Sequence, residues 1–214
     1  MLKAFINATI YTGKEKITGK ALLIEHDKIK GITVNEQIPS NSIIIDYKNC
    51  FIAPGLIDIQ IYGAGGYLFS NAPTSTALKS MTESLLSVGT TGFYVTLATN
   101  SMQVFQEAIK VARENPHPAI LGLHFEGPYI NPVKRGAHIF EYIKRAEKKE
   151  VEALLKAADG VLKIITLAPE MVDKEIIRLL IDNGVVISAG HSNATFDEAV
   201  KGYENGITTT THLF

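Results

Sequence analysis

The chain of 214 residues is 46% hydrophobic and 20% charged, a composition of ordinary globular proteins that excludes the disordered and fibrous classes. A formal charge of -1 supplies no field that would gather a nucleic-acid backbone or an anionic membrane, so neither is an expected partner. Cys50 is the single cysteine, so no internal disulfide can form, and MLKAFINATIYTGKEK has neither the apolar run nor the cleavage site of a signal peptide; a cytoplasmic location is the expectation.

Up to about residue 50 the chain is short, β-branched and partly alternating. KAFINATIYTG, GKALLIEHDKIKGITV and NSIIIDYKN are separated by Gly, Asp-Lys and Pro-Ser punctuation, which predicts hairpins of a small sheet with His26 in a solvated turn. After residue 50, apolar runs alternate with helical patterns. FIAPGLIDIQIYG reads as a strand, and GAGG at 63 to 66 as a turn. Leu78, Met81 and Leu85 lie at helical spacing before Gly89. TGFYVTLAT is the second strand, Ser101 caps a helix that ends at Asn115-Pro116, and AILGLHFEG is the third. FEYIKRAEKKEVEALLKAAD is predicted to be one amphipathic helix ended by Gly160. VLKIITLAP, a helix capped by Asp173, and VVISAGH follow. Thr195 and Glu198 have the spacing of a capping box, and ITTTTHLF is the sixth strand.

This alternation predicts an α/β fold with a parallel sheet. The glycine fingerprint of a dinucleotide-binding fold is missing after the first strand, which favours a TIM-type (β/α)8 barrel over an open doubly wound sheet. With about six strands present, the expectation is a partial barrel over residues 51–214 beside a small β-sandwich-like domain over residues 1–50.

Three side chains fall where a barrel keeps its chemistry, at the C-terminal ends of strands. Glu126 ends the third strand, His191 the fifth and His212 the sixth. Two imidazoles and a carboxylate form a set used by catalytic zinc sites with one position open, and the same set suits iron or another first-row ion. Taken singly, each also reads as a loop hydrogen-bonding group. His124 shares a strand face with Glu126, either orienting it or buried as a satisfied interior histidine. His117, between prolines, reads as a surface residue, and Lys134 and Arg135 as solvated or phosphate-attracting.

APGLIDIQIYGAGG, GLHFEGPYIN, KRGAH, SAGHSNAT and THLF together resemble the N-acetylglucosamine-6-phosphate deacetylases of the amidohydrolase superfamily. The resemblance implies a metal-bearing barrel beside a β-sandwich built from both chain ends, a homodimer, and hydrolysis of the acetamide of a small amino-sugar phosphate to glucosamine 6-phosphate and acetate. It assigns Glu126, His191 and His212 as ligands of one divalent ion, zinc first. Gln60 and Tyr62 stand at the two positions that hold a His-x-His pair in many amidohydrolases, which implies one metal rather than two. Gln60 is then a hydrogen-bonding group facing the site, Asp58 braces the strand end, and His138 and the Ala137 backbone contact substrate.

The general base implied by the family is an aspartate on a later strand, so no catalytic base is expected within the chain. The 214-residue chain is expected to be a fragment with little activity of its own. Alternatives are another amidohydrolase, such as a deaminase or cyclic amidase, and a non-catalytic protein that binds the metal or the sugar phosphate.

Overall fold

The computed structural model describes residues 1–213. It divides into two compact units, Met1–Gly55 and Leu56–Phe214.

The first unit holds β1 (Leu2–Ile6), β2 (Thr9–Tyr11), β3 (Lys16–Ile17), β4 (Lys20–Glu25), β5 (Lys28–Val34), β6 (Ile43–Asp46) and β7 (Phe51–Ile52). A four-stranded sheet runs β5-β4-β1-β6, and a three-stranded one β3-β2-β7. His26 closes the β4–β5 hairpin in the left-handed region, at φ 55, and is exposed. Phe51 and Ile52 pair with Thr9 and Ile10. The strand-like run from residue 51 is therefore two strands broken at Ala53-Pro54-Gly55, where proline offers no N–H to a ladder.

The second unit holds β8 (Leu56–Ile61), β9 (Gly63–Ala64), β10 (Tyr67–Leu68), α1 (Ser75–Ser87), β11 (Thr90–Ala98), α2 (Met102–Glu114), β12 (Ile120–Glu126), α3 (Lys148–Ala157), β13 (Leu162–Leu167), α4 (Lys174–Asp182), β14 (Val186–Ala189), α5 (Phe196–Glu204) and β15 (Thr209–Thr210). Six strands form one parallel sheet in the order β15-β14-β13-β12-β11-β8, a partial TIM-type barrel wall. Gly65 and Gly66, both at positive φ, turn the β9–β10 hairpin, so GAGG is a turn.

Local chemistry explains the helices. Thr74, Ser101 and Thr195 each accept from a backbone N–H of the first turn, and Glu198 completes the capping box at Thr195. Asp173 holds the N-cap backbone position of α4, although its side chain makes no capping hydrogen bond.

The charged segment departs from its pattern. Only Lys148–Ala157 is α-helical, Phe140–Tyr142 is a 3-10 turn, and the residues between are irregular. The backbone N–H groups of Lys144 and Ala146 donate to the carbonyls of Pro128 and Met171, so those donors are taken before an α-helix can use them. The sixth strand is also shorter than the run ITTTTHLF, with ladder pairing only at Thr209 and Thr210; Phe214 lies outside the described residues.

The two faces of the sheet divide the chemistry. Phe125 of β12 stacks on Phe105 of α2, with ring centroids 4.4 Å apart, so it faces the helical layer with Leu123. Leu97, Ile165, Leu167 and Ile187 are buried in that apolar core with Leu78, Leu154, Ile176 and Leu180 of the helices. Residues two apart share a face, so His124 and Glu126 point to the opposite side of β12. The register brings Glu126 level with Ala98 and Thr166, and β13, β14 and β15 then align Leu167, Ala189 and Thr210. The strand ends that lead to His191 and His212 therefore lie along the rim that carries Glu126. Among the described residues, no helix is long and apolar enough to cross a membrane.

Candidate metal centre

Glu126 is the centre of the cluster. Its residue is 1% exposed and its carboxylate accepts on both oxygens. Oε1 faces Nε2 of His191 and Nε2 of His212, each at 3.1 Å, and accepts from Gln60 Nε2 at 2.8 Å. Oε2 accepts from the Tyr62 hydroxyl and faces His138 Nε2 at 3.2 Å.

The chain beyond Glu126 is built for this position. Gly127 has φ 85, and a Cβ there would stand 2.0 Å from Thr99 Oγ1. That hydroxyl donates to the Glu126 carbonyl at 3.0 Å, so glycine is required both by the backbone and by the neighbour. His191 and His212 lie two residues past their strands, at φ 50 and φ 56, in the left-handed region that ordinary residues enter only where the surroundings hold them.

Backbone partners set the state of each imidazole. His191 Nδ1 lies 2.9 Å from the Lys134 carbonyl, which only accepts. The proton is therefore on Nδ1, and Nε2 presents a lone pair toward Glu126. His138 is wired the other way. Its Nδ1 accepts from the Thr99 N–H at 3.1 Å, so its proton sits on Nε2 and is donated to Glu126 Oε2.

The donor set fits a divalent cation. Two imidazole nitrogens, one of them with its lone pair exposed, face one carboxylate oxygen, an arrangement that calls for positive charge between them, supplied by a proton or by a metal. Glu126, His191 and His212 offer ligand atoms within 4.8 Å of one another. Ligand atoms placed about 2.1 Å from a tetrahedral ion stand about 3.4 Å apart, close to the separations from Oε1.

The titration behaviour follows from the geometry. Burial pushes the Glu126 carboxyl up, but hydrogen bonds from His138, from His191 when its Nε2 is protonated in the metal-free chain, and from Tyr62 outweigh it and hold the group well below the usual carboxylate range. The bond to Glu126 raises His191 against the opposing effect of burial, with help from the Lys134 carbonyl. Burial and the neighbouring Glu126 push the Tyr62 hydroxyl upward, so it stays a donor.

His124 does not touch Glu126. It donates from Nδ1 to the Ile59 carbonyl at 2.9 Å and accepts at Nε2 from Thr166 Oγ1 at 2.7 Å, and burial lowers its pKa. Of its two readings, the satisfied interior histidine is the observed one. Thr166, Thr211 and Ser188 continue the same buried hydroxyl chain.

Asp58 accepts from the Gln60 N–H at 2.9 Å and braces the strand end. Ala137 is exposed in the loop before buried His138. Arg135 donates to the His138 carbonyl at 2.9 Å, which ties this basic side chain to its own loop. His117 is an exposed loop residue whose Nδ1 accepts from the Ala119 N–H. Tyr62 and Thr99 are the site residues that sequence reasoning left without a role; period two along β8 places Tyr62 beside Gln60, whereas nothing local marks Thr99.

Residues 51–214 match the model of the amidohydrolase family. The chain belongs to that family. The family is metal-dependent, and this chain has a candidate metal triad, Glu126, His191 and His212. It is similar to N-acetylglucosamine-6-phosphate deacetylase of Haemophilus influenzae, 32% identical over 216 residues, covering 100% of this chain and 56% of that protein. N-acetylgalactosamine-6-phosphate deacetylase of Shewanella sp. is 37% identical over 166 residues, covering 76% of this chain and 42% of that protein. Among solved structures, N-acetylglucosamine-6-phosphate deacetylase from Pasteurella multocida superposes with TM-score 0.93 at 38% identity, covering 100% of this chain and 57% of that one. This amidohydrolase chain thus spans about half the length of the relatives it matches.

Proposed function

We propose that this chain carries the metal centre of a deacetylase that hydrolyses the acetamide of N-acetylglucosamine 6-phosphate to glucosamine 6-phosphate and acetate. The observation that carries the reading is the meeting of His191 Nε2 and His212 Nε2 at one oxygen of Glu126, with His191 fixed in the tautomer that frees its lone pair. The names of the relatives supply the substrate class.

In this reading Glu126, His191 and His212 hold one divalent ion, zinc first and iron or another first-row ion next. Such an ion polarises an amide carbonyl and lowers the pKa of water toward about 7. Gln60 orients the ligating oxygen of Glu126 through its amide, and Tyr62 and His138 keep the other oxygen occupied by their protons. His138, with its proton fixed at Nε2, and the exposed Ala137 backbone are assigned to the sugar. No residue of this chain is assigned as general base. The reading extends to residues 1–50 as half of a β-sandwich, a homodimer, and a place in the cytoplasm.

The galactosamine relative favours a second reading in which the substrate is the epimeric N-acetylgalactosamine 6-phosphate. Acetate release distinguishes these. The chain joined to the C-terminal portion of the Haemophilus influenzae relative and loaded with zinc is expected to release acetate from one or both sugar phosphates. Its Glu126→Gln variant is expected to be silent. Tight metal binding with no acetate from either substrate would contradict the reading and point to a non-catalytic binder.

A further inference from the structure

Glu170 lies in the short turn Pro169–Met171 after β13, on a different strand end from the triad, and none of the metal chemistry above uses it. Its carboxylate collects three donors. Oε1 accepts from the Asn193 backbone N–H at 2.7 Å and from Asn131 Nδ2 at 2.9 Å, and Oε2 accepts from the Ser192 hydroxyl at 2.7 Å. Ser192 and Asn193 directly follow His191. Asn131 opens the segment that holds His191 from the other side: its backbone N–H donates to the His191 carbonyl at 2.9 Å, and the Lys134 carbonyl accepts from His191 Nδ1.

His191 is thus gripped by two segments, 131–134 and 192–193, and Glu170 is the group that ties both together. The grip answers a physical need. At φ 50 a residue with a Cβ is held against its preference, and the imidazole must also present Nε2 rather than Nδ1 to Glu126. A carboxylate accepting three hydrogen bonds, one of them from a backbone N–H, is strong enough to hold such a loop.

We propose that Glu170 is a positioning residue for His191, acting through the two loops that fix its backbone and tautomer. This rests on the reading of His191 as a metal ligand. The test uses the 214-residue chain and Co2+ as probe, with affinity measured by competition against a chromophoric chelator and coordination read from the d–d absorption bands. Glu170→Ala is expected to weaken Co2+ binding about 10- to 100-fold, the range seen when a partner of a ligand is removed, and to shift the bands. Glu170→Gln keeps an oxygen toward Asn131 and Asn193 and offers an N–H to Ser192 Oγ, so its affinity is expected to stay within about threefold of wild type.

A loss of fold would not move the bands of the protein that remains folded, so the spectrum separates positioning from general destabilisation. Should Glu170→Ala fail to give a cooperative melt, Glu170→Asp, one methylene shorter, carries the same expectation. Wild-type affinity and bands in the folded Ala or Asp variant would overturn the positioning role alone. Absence of Co2+ binding by the wild-type chain would overturn the ligand reading itself.

Discussion

Gly127→Ala is the substitution whose effect is most directly worked from this structure. Two independent terms add. Placing a Cβ at φ 85 costs about 1–2 kcal/mol, because the side chain approaches the following carbonyl. The new carbon would also stand 2.0 Å from Thr99 Oγ1, so that hydroxyl must leave the Glu126 carbonyl, and a lost buried hydrogen bond adds about 1–2 kcal/mol. The expected loss is about 2–4 kcal/mol, a large part of the 5–15 kcal/mol typical of a domain. Urea unfolding at constant slope measures it. Thr99→Ala provides the internal control: it removes the hydroxyl and leaves the next atom at 3.3 Å, so in that background Gly127→Ala should cost only the backbone term. The cycle is then expected to show coupling of about 1–2 kcal/mol. A loss below about 0.5 kcal/mol in the single variant, the level of a neutral surface change, would refute the account of this turn.

Further outcomes follow from the same geometry. In the metal-free chain, the raised His191 stabilises fully below its ordinary value of 6.5 and loses that contribution as pH rises through its folded value. The depressed Glu126 stabilises above its ordinary value of 4.5 and loses that contribution as pH falls through its folded value, so these two contributions overlap between 4.5 and 6.5. His124, lowered by burial, opposes them as pH falls below 6.5, and it is in the His124→Asn background that the metal-free melting temperature is expected to peak between the two ordinary values in calorimetry. Metal must displace the His191 proton, so isothermal titration is expected to show metal affinity falling, with proton release, as pH drops through the raised His191 value. His124→Asn removes bonds to Ile59 and Thr166 without touching Glu126; urea unfolding should show a loss of about 1–3 kcal/mol with metal affinity unchanged.

Much of this was legible in the chain itself, for reasons that differ between elements. Period two along LHFE put Leu123 and Phe125 in the helical core and left His124 and Glu126 to the other face. Caps at Ser101 and Thr195 are local chemistry, readable within four residues. The segment 140–147 was not legible, because its backbone donors are taken by Pro128 and Met171, whose proximity only tertiary structure creates. Thr99 and Glu170 were hidden for the same reason: each acts on a histidine tens of residues away, through a backbone group that carries no sequence signature. The tautomers of His138 and His191 are likewise decided by an N–H and a carbonyl rather than by any neighbouring side chain. Composition and spacing nominate ligands, whereas the backbone decides which nitrogen each one presents.

The most direct test is a crystal structure of the chain grown with zinc, with anomalous scattering collected at the zinc edge. One ion is expected, bound by a Glu126 oxygen, His191 Nε2 and His212 Nε2 at about 2.0–2.2 Å, with His138 still donating to the other carboxylate oxygen. An ion bound through His138, or no ion within reach of Glu126 at saturating zinc, would contradict the account.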